Sequence, residues 1–549
     1  MKLLKYTAVF IFLISTITGC KKYLDINNDP ASPQTPSLQA LFIPVTSSMS
    51  RTIGLDGRQT GAYIQNWSNL AFQENYDSHG GNANSSLNSQ AWRDFYVVQG
   101  TAINLILKQA AKEEQWDFMG AATAIRAWGL QNATDYFGEM PYSQAWEPNR
   151  VYFEYDKQED IYADVDSLCR VAIKFLDRTD GKVNQTVMGR GDLVYGGNRD
   201  KWRRFAYGIL ARNWHHQTNK GNYNADSVIS FVDKSMLGNS DNFNIIHSAT
   251  KNDDTNPYGP ARDNFYFRRQ SRFIVQLLDG TTFDSTTVVA KRDPRLSRML
   301  SVSVDTLTTN SNMPTLNGGY RFLLPSSGYT ISTITTSNAF RQAPSTLYGD
   351  SNILNNDAAS FAVRKGKYLF QNNSAFPIMT AFEMQFIKAE AAFRKGDFNL
   401  ALSSYRAGIG LHIDFVNAVN QAANGVTQIS AAEKAAYLLS DKAVKQSTAT
   451  LTLSDIMLQK YIADFGWNLI ESWCDLRRYH YFDIDPLTNQ QVYRGFTIPF
   501  YNPINLGPKP AYRLRPTAAS EYDWNLTALT QIGAMNQDYH TYEMWFSQP

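Results

Sequence analysis

The chain has 549 residues, a formal charge of +2 from 52 basic and 50 acidic side chains, and 13% aromatic residues, among them 11 Trp, 30 Tyr and 31 Phe. The length allows one large core or two to three domains, and the near-neutral balance gives neither nucleic acid nor an anionic bilayer a charged face to hold. Most of the aromatic side chains must be core, but a surplus beyond core needs is what a sugar- or peptide-binding surface shows.

Residues 1 to 20 bear on the compartment. Lys2 and Lys5 precede a largely apolar run from Tyr6 to Ile17, too short for a hydrocarbon core that needs about 20 residues, so the segment is read as a signal peptide over 1–19. It ends in Ile17-Thr18-Gly19-Cys20, which resembles the bacterial lipobox. That resemblance implies cleavage before Cys20 and acylation of its thiol, an anchor rather than a span. Loss of Lys2 and Lys5 leaves 50 residues of each sign. Residues 20–37 then form a polar, turn-rich tether. Asp25, Asn27 and Asp29 open like a calcium loop, but Pro30 stands where that loop needs Gly and Pro36 where it needs Glu. A structural calcium therefore lacks support, and no cofactor is expected.

Helical periodicity follows in pairs. Trp92 to Lys112 carries Trp92, Tyr96, Ile103 and Ile106; Phe118 to Phe137 carries Ala121, Ile125 and Trp128 and stops at Gly138. Asp156 with Glu159 reads as a capping box before Ile161, Val165, Leu168, Ala172 and Phe175, and Asp200 as the cap of a helix bearing Trp202, Phe205, Ile209 and Trp214. His215-His216 reads as the solvated end of that helix. Thr380 with Glu383 is a second capping box, stapled by Met379 and Met384, before the stripe Phe382, Phe386, Ala389, Phe393. Gly396 stops that helix, Asp397 or Asn399 caps the next, and Leu402, Tyr405 and Ile409 face inward. The spacing of Gly396, Ala401 and Tyr405 is similar to the second half of a tetratricopeptide unit. Ser430 with Glu433 starts a helix to Lys442, and Asp455 to Leu476 closes the set. The pairs lie near 92–137, 156–217, 380–412 and 430–478; no strict 34-residue period shows.

The fold class is therefore mainly α, with about four tetratricopeptide-like hairpins as a scaffold for long irregular loops and a few short strands. Residues 38–549 form a single domain. Segments 220–260, 301–356 and 481–516 lack periodicity, yet their aromatic content argues against disorder. Tyr320-Arg321-Phe322-Leu323 reads as a possible strand. Cys169 and Cys474 sit in helical patterns and are expected as buried single thiols. Catalytic signatures are missing: no His-Glu-x-x-His, no Cys-x-x-Cys, no Gly-x-Ser-x-Gly, and Gly189-Arg190-Gly191 has Val194 where a dinucleotide turn needs Gly. Asp475-Leu476-Arg477-Arg478 reads as ion pairing or a dock for a neighbouring loop. Paired carboxylates need not be near in the chain, so a glycosidase stays open as an alternative.

Several pieces in order resemble the SusD/RagB family of outer-membrane nutrient-binding lipoproteins. They are the lipobox with Tyr23-Leu24-Asp25, Trp92 to Asn104, Arg126-Ala127, and Asp135-Tyr136-Phe137-Gly138-Glu139-Met140-Pro141-Tyr142. Asp192 to Gly197 with Lys201-Trp202, Asp293-Pro294-Arg295-Leu296, and the hairpin from Glu383 to Gly396 continue it. Gln459-Lys460-Tyr461 to Trp473 with Arg477-Arg478, then Arg513 to Asn525, complete it. The resemblance implies a lid on a TonB-dependent (SusC-like) transporter that captures oligosaccharides without catalysis, lipid-anchored at the outer membrane and facing outward. Lys21 and Lys22 depart from the acidic cluster often seen in surface-exported lipoproteins, which leaves a periplasmic orientation open. Oligopeptide capture and a pure tetratricopeptide scaffold are the other readings.

A sugar site needs flat apolar faces with amides or Arg beside them. The ligand face is expected on loops near 60–80 and 220–375. Its candidate residues are Trp67, Asn69, Phe72 and Tyr76; Phe265, Tyr266 and Arg268; and Tyr320, Arg321 and Tyr329. The plainer reading of each is a core or loop-anchoring side chain. No catalytic residue or metal ligand is expected.

Overall fold

The structure, a computed structural model, describes residues 36–70, 76–80, 89–262, 264–265, 267–284, 292–302, 320–326, 344, 346–348, 366–420, 426–517 and 520–549. Cys20, the calcium-like run, Phe72, Tyr266 and Tyr329 lie outside them. Among the described residues no helix is long and apolar enough to cross a membrane.

The fold is mainly helical, as the periodicities predict. Its first helix, α1 (Leu38–Tyr63), is one the periodicities do not announce. Ser37 caps it, and Thr46, Ser48 and Thr52 turn their hydroxyls back onto carbonyls three or four residues earlier. It is buried because neighbours press onto its glycines. A Cβ on Gly57 would lie 2.4 Å from Leu469, and one on Gly61 would lie 2.1 Å from the Trp67 indole. The central pairs are α2 (Gly100–Glu113) with α3 (Trp116–Phe137), and α4 (Gln158–Asp177) with α5 (Arg199–His216). Gly138, at φ 80°, ends α3. A further helix, α6 (Ala225–Lys234), rises inside the segment read as irregular, with Asn224 accepting from Ser227 N as its cap.

Two caps differ from expectation. Asp156 is used outside the helix: its carboxylate accepts from the amides of Tyr142 and Ser143, and α4 starts at Gln158. Asn198, not Asp200, caps α5; Asp200 pairs with Arg203.

Among the described residues, three short two-stranded sheets stitch loops to helices. β1 (Trp67–Asn69) runs antiparallel to β3 (Arg268–Gln270), opposing Trp67 to Gln270 and Asn69 to Arg268. β2 (Phe243–Ile245) pairs with β4 (Phe376–Met379), which leads into the hairpin of α7 (Ala381–Arg394) and α8 (Phe398–Asn420). Ile484–Asp485 with Gln490–Gln491 makes the third. The hairpin is as read: Phe382, Phe386, Ala389 and Phe393 are buried, Gly396 has φ 85°, and Asp397 accepts from Leu400 N. Thr380 caps α7 through Glu383 N, but the Glu383 carboxylate does not return to close the box; Arg212 takes it. The next helix, α9 (Ala431–Leu438), has the full capping box and ends before Lys442. Asp455 to Leu476 divides at Phe465–Asn468, where Gly466 has φ 86°, into α10 (Leu453–Asp464) and α11 (Leu469–Arg478). Tyr320 to Leu323 forms no strand, only an isolated bridge from Leu323 to Ser271.

Where α5, α7, α10 and α11 meet, the core is ionic. Arg212 bonds Glu383 at 2.5 and 2.7 Å, Arg478 joins Glu390 to Asp475, and Lys460 reaches Asp475 at 2.7 Å. The two histidines are therefore not a solvated end: both are about 1% exposed. Burial pushes His215 down to about 4, against the pull of Glu390, so its neutral ring donates to Glu390 and accepts from Tyr223. Burial would also lower His216, but Glu471 and Asp135 hold its proton up to about 9. A buried charge persists only when paired and hydrogen-bonded, and each of these is.

Candidate functional site

An open aromatic groove of about 830 Å³ lies within the usual range for small-molecule sites, roughly 300–1,000 Å³. Its floor is Trp92, Tyr96, Trp146 and Phe153. Its polar edge includes Ser89, Gln90, Arg93, Thr517, Ser520 and Glu521.

The floor is built from the chain entering α2. Ser89 caps a single turn, Gln90–Arg93, and a π-helical stretch, Asp94–Gln99, follows. A π turn widens the helix by one residue and often marks a functional position. From α1, Asp56 accepts from Ser89 Oγ and the amides of Gln90 and Ala91, each at 2.8 Å. Burial raises its carboxyl to about 6 against those three bonds. Asp94 accepts from Thr52 and Gln90. The turn is thus held from behind by α1.

Gly100 seats the indole of Trp146, which stands on a left-handed residue (φ 66°). A Cβ on Gly100 would fall 2.4 Å from Trp146 Cζ2. Trp146 Nε1 donates to Tyr96 O at 2.9 Å, Tyr96 OH donates to Pro141 O at 2.5 Å, and the Arg126 guanidinium lies 4.6 Å over the indole. The polar tips are therefore bonded within the protein and the rings are left for contact. Trp92 and Tyr96 sit 5.0 Å apart, Tyr96 and Trp146 6.2 Å. Glu521 is held by Tyr155 OH at 2.8 Å and Asn525 Nδ2 at 3.0 Å. Val97 in the lining is 59% exposed, and Tyr152 and Trp524, near the lining residues Phe153 and Glu521 in the chain, are 68% and 72% exposed. Asn525 ties the Trp524 turn to Phe153 through both its amide atoms.

The three segments expected to carry the ligand face do converge, around β3. Asn69 opposes Arg268, Gln270 donates to Arg321 O at 2.6 Å, and Ser78 donates to Ser326. Their aromatic side chains turn inward, however. Trp67 and Phe265 are fully buried, 4.8 Å apart edge to face, and Trp67 Nε1 donates to Arg58 O. Arg321 is fully buried, and Asn69 is spent on Asp77. Burial leaves these four side chains almost no surface to offer a ligand in this structure. Tyr76 and Arg268 keep partial exposure, and Tyr320 opens onto a separate, smaller cavity.

The groove residues are the ones sequence reasoning missed. Trp92 and Tyr96 read as an inward stripe, and nothing local distinguishes a ring that lines a groove from one that fills a core. Asp135, His216 and Cys474 bring donor atoms within 4.8 Å of one another, but Arg477 donates to Cys474 Sγ at 3.1 Å and Glu471 holds His216. Burial pushes the Cys474 thiol up, so it keeps its proton. Cys169 and Cys474 are buried free thiols.

Residues 28–499 match a family model described as SusD-like, starch-binding and associating with the outer membrane. The fold is similar to that of a SusD/RagB family protein from Bacteroides thetaiotaomicron, at TM-score 0.65 and 20% identity, covering 93% of this chain and 99% of that one. It is equally similar to a chitin-binding protein, at TM-score 0.65 and 19% identity over 93% and 99% of the two chains. A chitin-binding SusD homolog from Flavobacterium johnsoniae follows at TM-score 0.61 and 19% identity, over 93% and 98%. No protein of curated function matches. The chain belongs to the SusD-like family of outer-membrane-associated binding proteins.

Proposed function

We propose that the protein captures oligosaccharides in the Trp92–Tyr96–Trp146 groove and releases them unchanged to a TonB-dependent outer-membrane transporter. The observation that carries this reading is the groove's chemistry: fixed ring faces share their lining with the hydroxyls of Thr517 and Ser520, which suits the C–H faces and hydroxyls of a sugar. Starch is in the family's description, and chitin is in the names of two proteins of the same fold. Binding without turnover fits the lining, because Glu521 is the only carboxylate among its described residues and glycoside hydrolysis ordinarily uses two. Capture needs no cofactor.

Peptide capture often adds a strand to a sheet edge, and no described strand lines the groove. Tyr76 and Arg268 offer a second contact on the loop face. Acylation at Cys20 belongs to the same proposal; the intact mass of the mature protein checks it.

The test is calorimetry with malto-oligosaccharides, chito-oligosaccharides and mixed peptides, together with product analysis after long incubation. An oligosaccharide is expected to bind and to be recovered whole. Binding of peptides alone, or cleaved sugar, contradicts the reading.

A further inference from the structure

The segment Arg292-Asp293-Pro294-Arg295-Leu296-Ser297-Arg298 borders a second cavity of about 330 Å³ that shares no residue with the groove. Arg292, Ser297, Arg298, Tyr320, Glu433 and Tyr437 are among its walls. Its two carboxylates are neutralised from within. Asp293 accepts from the Arg295 guanidinium and from Tyr437 OH, each at 2.6 Å. Glu433 closes the capping box of α9 and takes Arg298 at 3.3 Å. The other donors of Arg298 go to Ser297 Oγ and to the carbonyls of Pro294, Thr427 and Gln428.

Arg292 is different. Among the described residues nothing accepts a hydrogen bond from its guanidinium, and its Nε is buried without a partner. Lys367, outside the lining, donates to the carbonyls of Ser297 and Leu300 on the same segment. Burial pushes its ammonium down to about 8, with no described carboxylate beside it. Arg292 and Arg298 line the cavity with Asp293 and Glu433, but Asp293 is taken by Arg295 from behind the wall and Glu433 by Arg298, so Arg292 is left without a counter-charge among the described residues. A cation out of bulk water and without a counter-charge is unfavourable, and a ligand that brings the charge recovers that cost.

We propose that this cavity recognises a carboxylate carried on a single sugar ring, a hexuronic acid, with Arg292 as the recognising side chain. Guanidinium is planar and presents parallel donors that match a carboxylate in pairs. The volume stands at the low end for small-molecule sites, roughly 300 Å³ and up, and suits one ring rather than a chain. Tyr320, 8% exposed, gives the ring an apolar neighbour. A protein with both sites holds neutral sugar in the groove and reads an acidic one here, so the failure of either site leaves the other standing.

The test titrates glucuronate, glucose and acetate into the full chain at low salt, for the native protein and for Arg292→Gln and Arg292→Lys. Glucuronate is expected to bind at least tenfold more tightly than glucose or acetate, to raise Tm, and to weaken as salt rises. Arg292→Gln should lose at least tenfold for glucuronate with its own Tm unchanged, because among the described residues none accepts a hydrogen bond from Arg292. Arg292→Lys keeps the charge without the fork and should fall between, which serves as the test if Arg292→Gln does not fold. Glucose or acetate binding as tightly as glucuronate, or native affinity in Arg292→Gln, overturns the proposal.

Discussion

Two stretches of this chain look alike as sequence and behave oppositely as structure. Asn66 to Tyr76 and Ser89 to Gln99 each mix Trp, Tyr and Phe with amides at short spacing. In the first, Trp67 is closed in by Gly61, Phe265 and Tyr258. In the second, Tyr96 satisfies its polar tip on Pro141 O, accepts Trp146 Nε1 on its own carbonyl, and lines a groove together with that indole. Composition does not decide whether an aromatic side chain is core or contact. The decision rests on what packs against the ring, and most of those partners come from tens of residues to about two hundred residues away.

The sharpest way to break that contrast is Trp67→Ala. Deleting a fully buried indole should cost about 3–5 kcal/mol of stability by chemical denaturation, with oligosaccharide affinity unchanged in the folded fraction. A loss of affinity at unaltered stability would return Trp67 to the ligand face.

Next in size is the pH response of the ionic junction. His216 is held up to about 9, above the ~6.5 of an unfolded histidine. A group raised in this way stabilises the fold fully below about pH 6.5, and the contribution is lost as pH rises through 9. At 1.36 kcal/mol per unit the effect is roughly 3 kcal/mol. Denaturation of the native protein should therefore weaken between pH 6.5 and 9 more steeply than that of His216→Gln; parallel curves would mean the proton is not held there.

A smaller change sharpens the groove side. Gly100→Ala should gain up to about 1 kcal/mol in helix propensity. The added Cβ, however, meets Phe95 O and Trp146, both 2.4 Å away, and a backbone atom cannot step aside. Overpacking of this kind costs about 1–3 kcal/mol and should win, tilting Trp146 out of place and weakening oligosaccharide binding. The smallest effect belongs to Trp524, three residues beyond the lining residue Glu521. Trp524→Ala should reduce affinity for long oligosaccharides by about tenfold or less, leave short ones alone and keep Tm, because the side chain is 72% exposed.

How much of this the sequence carried depends on the range of the interaction that fixes each feature. The hairpin read at 380–412 was legible because its cap, its stripe and Gly396 all act within a few residues; its second helix runs on to Asn420. So was the end of α3 at Gly138. The helix Leu38–Tyr63 was not, since Pro44, three glycines and a run of hydroxyls all lower helix propensity. They are tolerated because Trp67, Pro257 and Leu469 need the space. His215 and His216 read as exposed because a charged pair at a helix end is normally wet; Glu390 and Glu471, far along the chain, keep them inside. The groove was hidden for the same reason. Trp92 to Gln99, Trp146 and Glu521 are separated by up to four hundred residues, and only the fold brings them together.

The central claim is that ligand lies on the Trp92–Trp146 groove rather than on the β1–β3 loop face. Hydrogen exchange of the full protein with and without a saturating oligosaccharide compares the two directly. The account predicts slowed exchange at 89–99, 141–153 and 520–525, with 67–70 and 267–270 unchanged. Protection confined to the latter pair, with the groove amides exchanging as before, would contradict it.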